Sequence, residues 1–352
     1  MKKVLIADDS ALVRKQLTEI IATLGFEIET ARNGAEAVQK ATDTQYDVIT
    51  MDINMPVMDG LTAVEKIMAV RPTPILMISS LTTESAGITM EALDRGAVDY
   101  IAKPGTMNVG KSENREDILQ KVQSLSRISP RRLKVAVRRP IQRERPARVR
   151  ESVGSDCAGS GEVNKILLIG ASTGGPGLIE QICRALPNGF PYAVCIVQHM
   201  PEHFTAAFTT RLDKVSTLPV VECKDHVELS NGTIYIARGG IHLHFAKKVT
   251  GKIMIREEKN KNDRFFQPSV DEMFESALKV FSGEQITAVL LTGIGDDGAN
   301  GMVKIKKAGG FTIGESEETA TVYGMPRAAY ERGGVSQQLP FPKIIRTLQT
   351  LR

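Results

Sequence analysis

The stretch Lys165–Pro187, KILLIGASTGGPGLIEQICRALP, decides how the second half of the chain is read. Its apolar run Ile166–Ile169 has no polar interruption, and a glycine turn carries it into the helical spacing Leu178, Ile179, Ile182, Leu186. Strand, tight turn and helix follow directly on one another. Ser172 stands at the apex, inside Gly170–Gly174, a G-x-S-x-G pattern that places a serine hydroxyl on a sharp strand-to-helix turn. Small neighbours let a substrate approach, and N–H groups at the start of a helix stabilise negative charge. The pentapeptide alone leaves three readings open: a nucleophile, a phosphate-cradling loop, or a plain α/β turn.

Working outward, 352 residues suit two domains, each with a full core. No apolar stretch approaches the roughly 20 residues needed to cross a bilayer. Met1-Lys2-Lys3 leads straight into a strand instead of a signal peptide. A soluble cytoplasmic protein with no membrane insertion is expected. The four cysteines, Cys157, Cys183, Cys195 and Cys223, form no C-x-x-C pair, so neither zinc nor disulfides are indicated. The net charge of +4 is local: Arg127–Arg150 holds ten Lys/Arg against one Glu, a surplus of nine that leaves the remainder at −5. That balance gives no support for general binding to nucleic acid.

From the N-terminus, strand patterns alternate with helix patterns five times, which predicts a parallel sheet with helices on both faces. Val4–Ala7 ends in Asp8-Asp9-Ser10, and Val48–Met51 ends in Asp52. Pro74–Ile78 ends in Ser79, and a later strand runs through Tyr100 to Lys103-Pro104. In such sheets the ligand site lies off the carboxyl ends of the strands. Carboxylates of Asp8, Asp9 and Asp52 meeting there would repel one another unless a cation lay among them. An oxygen-ligated Mg²⁺ is therefore expected. Taken singly, Asp-Asp reads equally as a helix N-cap and Lys-Pro as a loop.

On these motifs, Met1 to about Ser124 resembles the receiver domain of a two-component response regulator. The resemblance implies that Asp52 accepts a phosphoryl group and that Asp8 and Asp9 serve Mg²⁺ with it. Ser79 becomes the switch hydroxyl, Tyr100 the switch aromatic and Lys103 the phosphoryl contact, with a cis Lys103-Pro104 bond. A chemotaxis histidine kinase would be the phosphoryl donor. Positioning and charge neutralisation, which phosphoryl transfer requires, are what a metal and a lysine provide.

Periodicity disappears over residues 125–162, where prolines, arginines and then Gly/Ser dominate. An extended, solvated linker is predicted. The arginines lack aromatics for base stacking and show no amphipathic period, although acidic protein, anionic lipid or nucleic acid remain conceivable contacts.

The second domain, residues 163–352, opens with the serine elbow. The apolar strand Tyr192–Val197 ends in Gln198-His199-Met200-Pro201, and Ile286–Leu291 runs into Thr292-Gly-Ile-Gly-Asp296-Asp297-Gly298. Between them, Pro219–Glu222, Thr233–Ala237, His242–Phe245 and Lys252–Glu257 read as shorter strands. A serine nucleophile needs a base and a group that orients the base. Among the five histidines, His199 ends a buried-type strand, where doubly wound sheets place functional groups. His242 and His244 share a strand face, His226 lies in a charged loop and His203 follows a proline; these read as structural, solvated or rim residues. Spacing does not separate Asp296 from Asp297 as the orienting acid. The order Ser, His, Asp differs from the Ser, Asp, His order of α/β-hydrolases.

GASTGGP, VQHMP, GGIHL and LLTGIGDDGA, spread over Ile166–Arg352, resemble the catalytic domain of the chemotaxis protein-glutamate methylesterase, itself joined to a receiver. The fold implied is two doubly wound parallel-sheet domains, flavodoxin-like then Rossmann-like, joined by a flexible linker. The resemblance makes Ser172 the nucleophile, His199 the base and Asp297 the third member, with an oxyanion held near Thr173 and Ile294. It implies hydrolysis of glutamate methyl esters on the cytoplasmic helices of methyl-accepting chemotaxis receptors, by a monomer whose catalytic domain needs no cofactor. Deamidation of receptor glutamines is a further possible reaction. The unmodified receiver is expected to cover the active site until phosphorylation relieves the block. Two positions depart from the family pattern: Ile294 stands where methionine is usual, and Arg238 where proline is usual. The competing reading is a response regulator with a DNA-binding output, but that output would be a recognition helix and not an α/β domain with a serine elbow.

Overall fold

A computed structural model of the chain describes residues 1–80, 83–103, 111–128, 133, 163–259 and 266–352. The chain divides into two compact units, Met1–Ile141 and Gln142–Arg352, at a point inside the 125–162 segment. The linker reading, apart from residues 125–128 and 133, the Lys103-Pro104 bond and Cys157 lie outside the described residues.

In the first unit strands and helices alternate: β1 (Lys3–Ala7), α1 (Ala11–Ala22), β2 (Glu27–Ala31), α2 (Gly34–Asp43), β3 (Val48–Asp52), α3 (Gly60–Val70), β4 (Ile75–Ser79), α4 (Thr83–Asp94), β5 (Asp99–Ala102) and α5 (Lys111–Leu125). Side-chain oxygens of Ser10, Asn33 and Asp59 accept the N–H groups of Val13, Glu36 and Thr62, fixing where the first three helices start. The strands pair in parallel in the order β2-β1-β3-β4-β5. Every residue of β3 and β4 is buried, which explains their unbroken apolar runs. The order reverses between β1 and β3, where Asp8 and Asp52 emerge.

The second unit continues with β6 (Ile166–Ala171), α6 (Pro176–Ala185), β7 (Ala193–Gln198), α7 (Glu202–Val215), β8 (Val220–Glu222), β9 (Ile234–Ile236), β10 (His242–Lys247) and β11 (Ile253–Glu258). Then come α8 (Val270–Ala277), β12 (Ile286–Leu290), α9 (Ala299–Lys307), β13 (Phe311–Glu315), α10 (Met325–Glu331), β14 (Gln337–Leu339) and α11 (Phe341–Gln349). Seven strands form a parallel sheet in the order β14-β13-β12-β6-β7-β9-β8. The chain leaves β6 in one direction through β7 and returns on its other side at β12, so the loops after β6 and β12 flank a crevice at the strand ends. Phe204 and Phe208 of α7, Phe274 of α8 and Phe341 of α11 are fully buried, each burial worth roughly 1.5–3 kcal/mol.

One part of the sequence pattern resolves differently from its neighbours. β8 and β9 extend the parallel sheet, whereas β10 and β11 pair with each other in an antiparallel hairpin outside it, in the register His242↔Glu258 and His244↔Arg256. The hairpin packs on α8.

Candidate active site

The register of the sheet brings Ser172 and His199 together. Ala171 at the end of β6 pairs with Gln198 at the end of β7, so the next residues leave adjacent strands at the same level. Neighbouring strands lie only about 4.8 Å apart. The His199 N–H donates to Ala171 O at 3.0 Å, and the Ser172 N–H donates to Thr292 O at 3.0 Å, joining the elbow to the end of β12 on the other side.

The elbow's carbonyls are held from behind. Gln198 Nε2 and the Gly175 N–H donate to Ser172 O at 2.9 and 2.8 Å, and Thr292 Oγ1 donates to Thr173 O at 2.9 Å. The Ser172–Thr173 peptide is trans. With its carbonyl held by those donors, the Thr173 N–H is directed the opposite way. Two glycines make the packing possible. Gly174 adopts φ +78°, and a Cβ on Gly293 would lie 2.2 Å from Met325 Sδ and 2.8 Å from Ser172 Cβ.

Asp297, from the loop between β12 and α9, meets His199. Its Oδ2 lies 2.8 Å from His199 Nε2. A carboxylate only accepts, so Nε2 carries the proton and Nδ1 keeps its lone pair. His199 Nδ1 is buried and has no hydrogen-bond partner among the described residues. Phe266 stacks on the imidazole with centroids 4.0 Å apart and an interplanar angle of 10°.

The carboxylate itself is saturated. Asp297 Oδ1 accepts from Ser269 Oγ at 2.8 Å and the Asp271 N–H at 3.0 Å, and Oδ2 accepts from the Val270 N–H at 2.7 Å as well as from His199. The start of α8 thus points its unpaired donors at Asp297. Burial works to raise this carboxyl, but His199 and the backbone donors of Asp271 and Val270 outweigh it and bring it down to about 2.

The other candidates fall elsewhere. Asp296 is exposed and pairs with Arg332. His203 and His226 are exposed, whereas His242 and His244 are buried on β10. Thr173 is buried and Ile294 half-buried at the crevice, the latter in a loop anchored by the Gly293 N–H donating to Val322 O and the Met325 N–H donating to Gly293 O. Arg238 ties its loop to the hairpin, with Nε 3.1 Å from Glu257 Oε1.

A second cluster occupies the strand ends of the first unit. Lys103 Nζ donates to Asp52 Oδ2 at 2.7 Å and lies 3.4 Å from Asp8 Oδ2. The Ile53 N–H donates to Asp52 Oδ1, and the Ser10 N–H to Asp8 Oδ1. Burial, reinforced by the charge of Asp8, lifts the Asp52 carboxyl to about 6 despite Lys103, and burial also lifts that of Asp8. One oxygen each of Asp8, Asp9 and Asp52 lies within 4.8 Å of the others, and Asp8 Oδ2, buried and ion-paired with Lys103, accepts no hydrogen bond among the described residues. An all-oxygen set with a buried acceptor that lacks a hydrogen bond fits Mg²⁺. Ser79 is buried, its hydroxyl accepting from Thr89 Oγ1 at 3.0 Å. Tyr100 is buried as well.

Residues 167–348 match the family model described as CheB methylesterase, and residues 4–113 match the response regulator receiver domain. The chain belongs to the CheB methylesterase family. It is 50% identical over 97% of its length to a protein-glutamate methylesterase/protein-glutamine glutaminase of Carboxydothermus hydrogenoformans, covering 96% of that protein. A relative of the same name from Caldanaerobacter subterraneus is 44% identical over 97% of this chain and 94% of its own length. The crystal structure of the Thermotoga maritima CheB methylesterase catalytic domain is 39% identical, covers 54% of this chain and 99% of that one, and superposes with a TM-score of 0.52.

Within this CheB-family chain, sequence reasoning missed the residues around the three it singled out. Gln198 holds the elbow carbonyl, and Glu315 Oε2, fully buried at the end of β13, accepts the Thr292 N–H at 2.9 Å. Phe266 covers His199, and Ser269 reaches Asp297. The S-x-x-E spacing of Ser269 and Glu272 signals a helix start, but not that the helix points at Asp297.

Proposed function

We propose that this chain is a receiver-controlled serine esterase that removes methyl groups from glutamate methyl esters on chemotaxis receptors in the cytoplasm. The observation that carries the reading is the His199 imidazole beside the serine elbow, fixed through Nε2 by a saturated Asp297 and with no partner for Nδ1 among the described residues. In the reaction Ser172 Oγ attacks the ester carbonyl while His199 Nδ1 takes its proton. Asp297 stabilises the imidazolium without taking the proton. Negative charge on the tetrahedral oxygen is stabilised by N–H groups of Thr173 and the Ile294 loop. The imidazolium returns its proton to the leaving methoxide, methanol departs, and water activated by His199 then releases glutamate from Ser172. An amide follows the same steps with ammonia leaving, in keeping with the glutaminase in the relatives' names.

Residues 1–124 form the controlling receiver and residues 163–352 the esterase. Asp52 accepts the phosphoryl group from a chemotaxis histidine kinase, Lys103 contacts it, and Ser79 and Tyr100 respond to it. Mg²⁺, held by Asp8, Asp9 and Asp52, would supply charge neutralisation during that transfer. The test is methanol release from methylated receptor membranes. Ser172→Ala should lower the rate by about 10⁶, and release that survives this substitution refutes the assignment.

A further inference from the structure

We propose that Ser269 is a positioning residue for the esterase, holding Asp297 against His199 through its hydroxyl and itself held by His242. The proposal rests on the assignment of Ser172, His199 and Asp297 above.

The direction of the serine's hydrogen bonds is fixed by its neighbours. Ser269 is the N-cap of α8, and its Oγ accepts the Glu272 N–H at 3.3 Å. Its own proton therefore goes to the remaining partner, Asp297 Oδ1 at 2.8 Å, which only accepts. One hydroxyl thus sets the start of the helix and one oxygen of the carboxylate. The same helix start supplies the Val270 and Asp271 N–H groups to Asp297, so a shift of Ser269 moves three of its four donors together.

The serine is anchored from the other side. Its N–H donates to His242 Nδ1 at 3.1 Å, and His242 is only 3% exposed. Nδ1, as the acceptor of this bond, carries no proton. Two residues along β10, His244 Nε2 lies 3.2 Å from Glu272 Oε2. The β10–β11 hairpin, which adds nothing to the parallel sheet, therefore braces the first turn of α8 at Ser269. The chain of contacts runs from the hairpin through His242, Ser269 and Asp297 to the histidine that acts as base. A carboxylate that loses the Ser269 donor can rotate, and the imidazole orientation that Asp297 fixes through Nε2 becomes one of several.

Ser269→Gly separates this role from folding, since glycine is tolerated at an N-cap nearly as well as serine. In the full-length protein, with rates normalised to the folded fraction, kcat for methanol release should fall about tenfold with KM unchanged. The low-field proton resonance of His199 Nε2–H should shift. Ser269→Thr, which restores a hydroxyl able to cap and to donate, should recover both. Parental kcat and resonance in Ser269→Gly overturn the proposal, as does a loss that Ser269→Thr fails to recover. Ser172→Ala keeps the comparison clean. It should abolish release while leaving the resonance in place, whereas release surviving it refutes the underlying assignment and not the positioning role.

Discussion

Replacing Asp297 with asparagine removes the charge that four donors converge on. Its carboxyl sits at about 2 against an ordinary 3.8. That difference is worth about 2 kcal/mol of stability at neutral pH. Because the folded value lies below the unfolded one, the contribution is complete above about pH 4 and disappears as the pH falls toward 2. Asp297→Asn should therefore lose about 2 kcal/mol at pH 7 in urea denaturation, and the difference from the parent should shrink on acidification. Activity should suffer more. An amide nitrogen turned toward His199 makes Nε2 an acceptor and moves the ring proton to Nδ1, where it blocks proton transfer from Ser172. An amide nitrogen turned the other way meets the Asp271 N–H donor to donor. A fall in kcat of about 10⁴ is expected, the scale seen when a triad histidine is held in the wrong tautomer. Asp296→Asn provides the contrast, since that side chain is exposed and pairs with Arg332, and it should change stability by less than about 0.5 kcal/mol with kcat intact. Methanol release on both variants decides the matter. Asp297→Asn within tenfold of the parent, or Asp296→Asn equally damaged, would refute the reasoning.

Gly293→Ala should cost about 1–3 kcal/mol and depress kcat with little change in KM, because the new methyl meets Met325 Sδ at 2.2 Å and displaces Ser172; thermal melts and kinetics on one preparation check both. In the receiver, protons compete with Mg²⁺ at an Asp52 carboxyl lifted to about 6, so calorimetric titration should find weaker Mg²⁺ binding at pH 5 than at pH 7, approaching tenfold per pH unit. Equal affinity at the two pH values would show that Asp52 is not a ligand. Asp52→Ala should remove stimulation of methanol release by acetyl phosphate.

How much the sequence disclosed depended on whether the signal was local. Asp8 and Asp52 each terminate an apolar strand, and a parallel sheet puts strand ends on one edge, so their meeting was legible in the sequence. Ser172 and His199 were legible for the same reason. Spacing did not separate Asp296 from Asp297, because the residues are adjacent and differ only in the direction the turn sends them; the choice of Asp297 came from the family resemblance. One side chain goes to solvent and Arg332, the other to the start of α8. That His242–Phe245 and Lys252–Glu257 pair with each other outside the parallel sheet was not legible, because a strand pattern does not name its partner. Phe266 and Ser269 escaped notice because their roles come from packing between segments some 30 to 70 residues apart in the chain, which no local pattern encodes.

The most direct test of the central claim is mass spectrometry of the enzyme quenched in acid during turnover of a receptor-derived peptide methyl ester. An adduct of the peptide's mass less methanol, confined to Ser172 and absent from Ser172→Ala, is the result predicted here; an adduct on another residue, or undiminished turnover by Ser172→Ala, would contradict it.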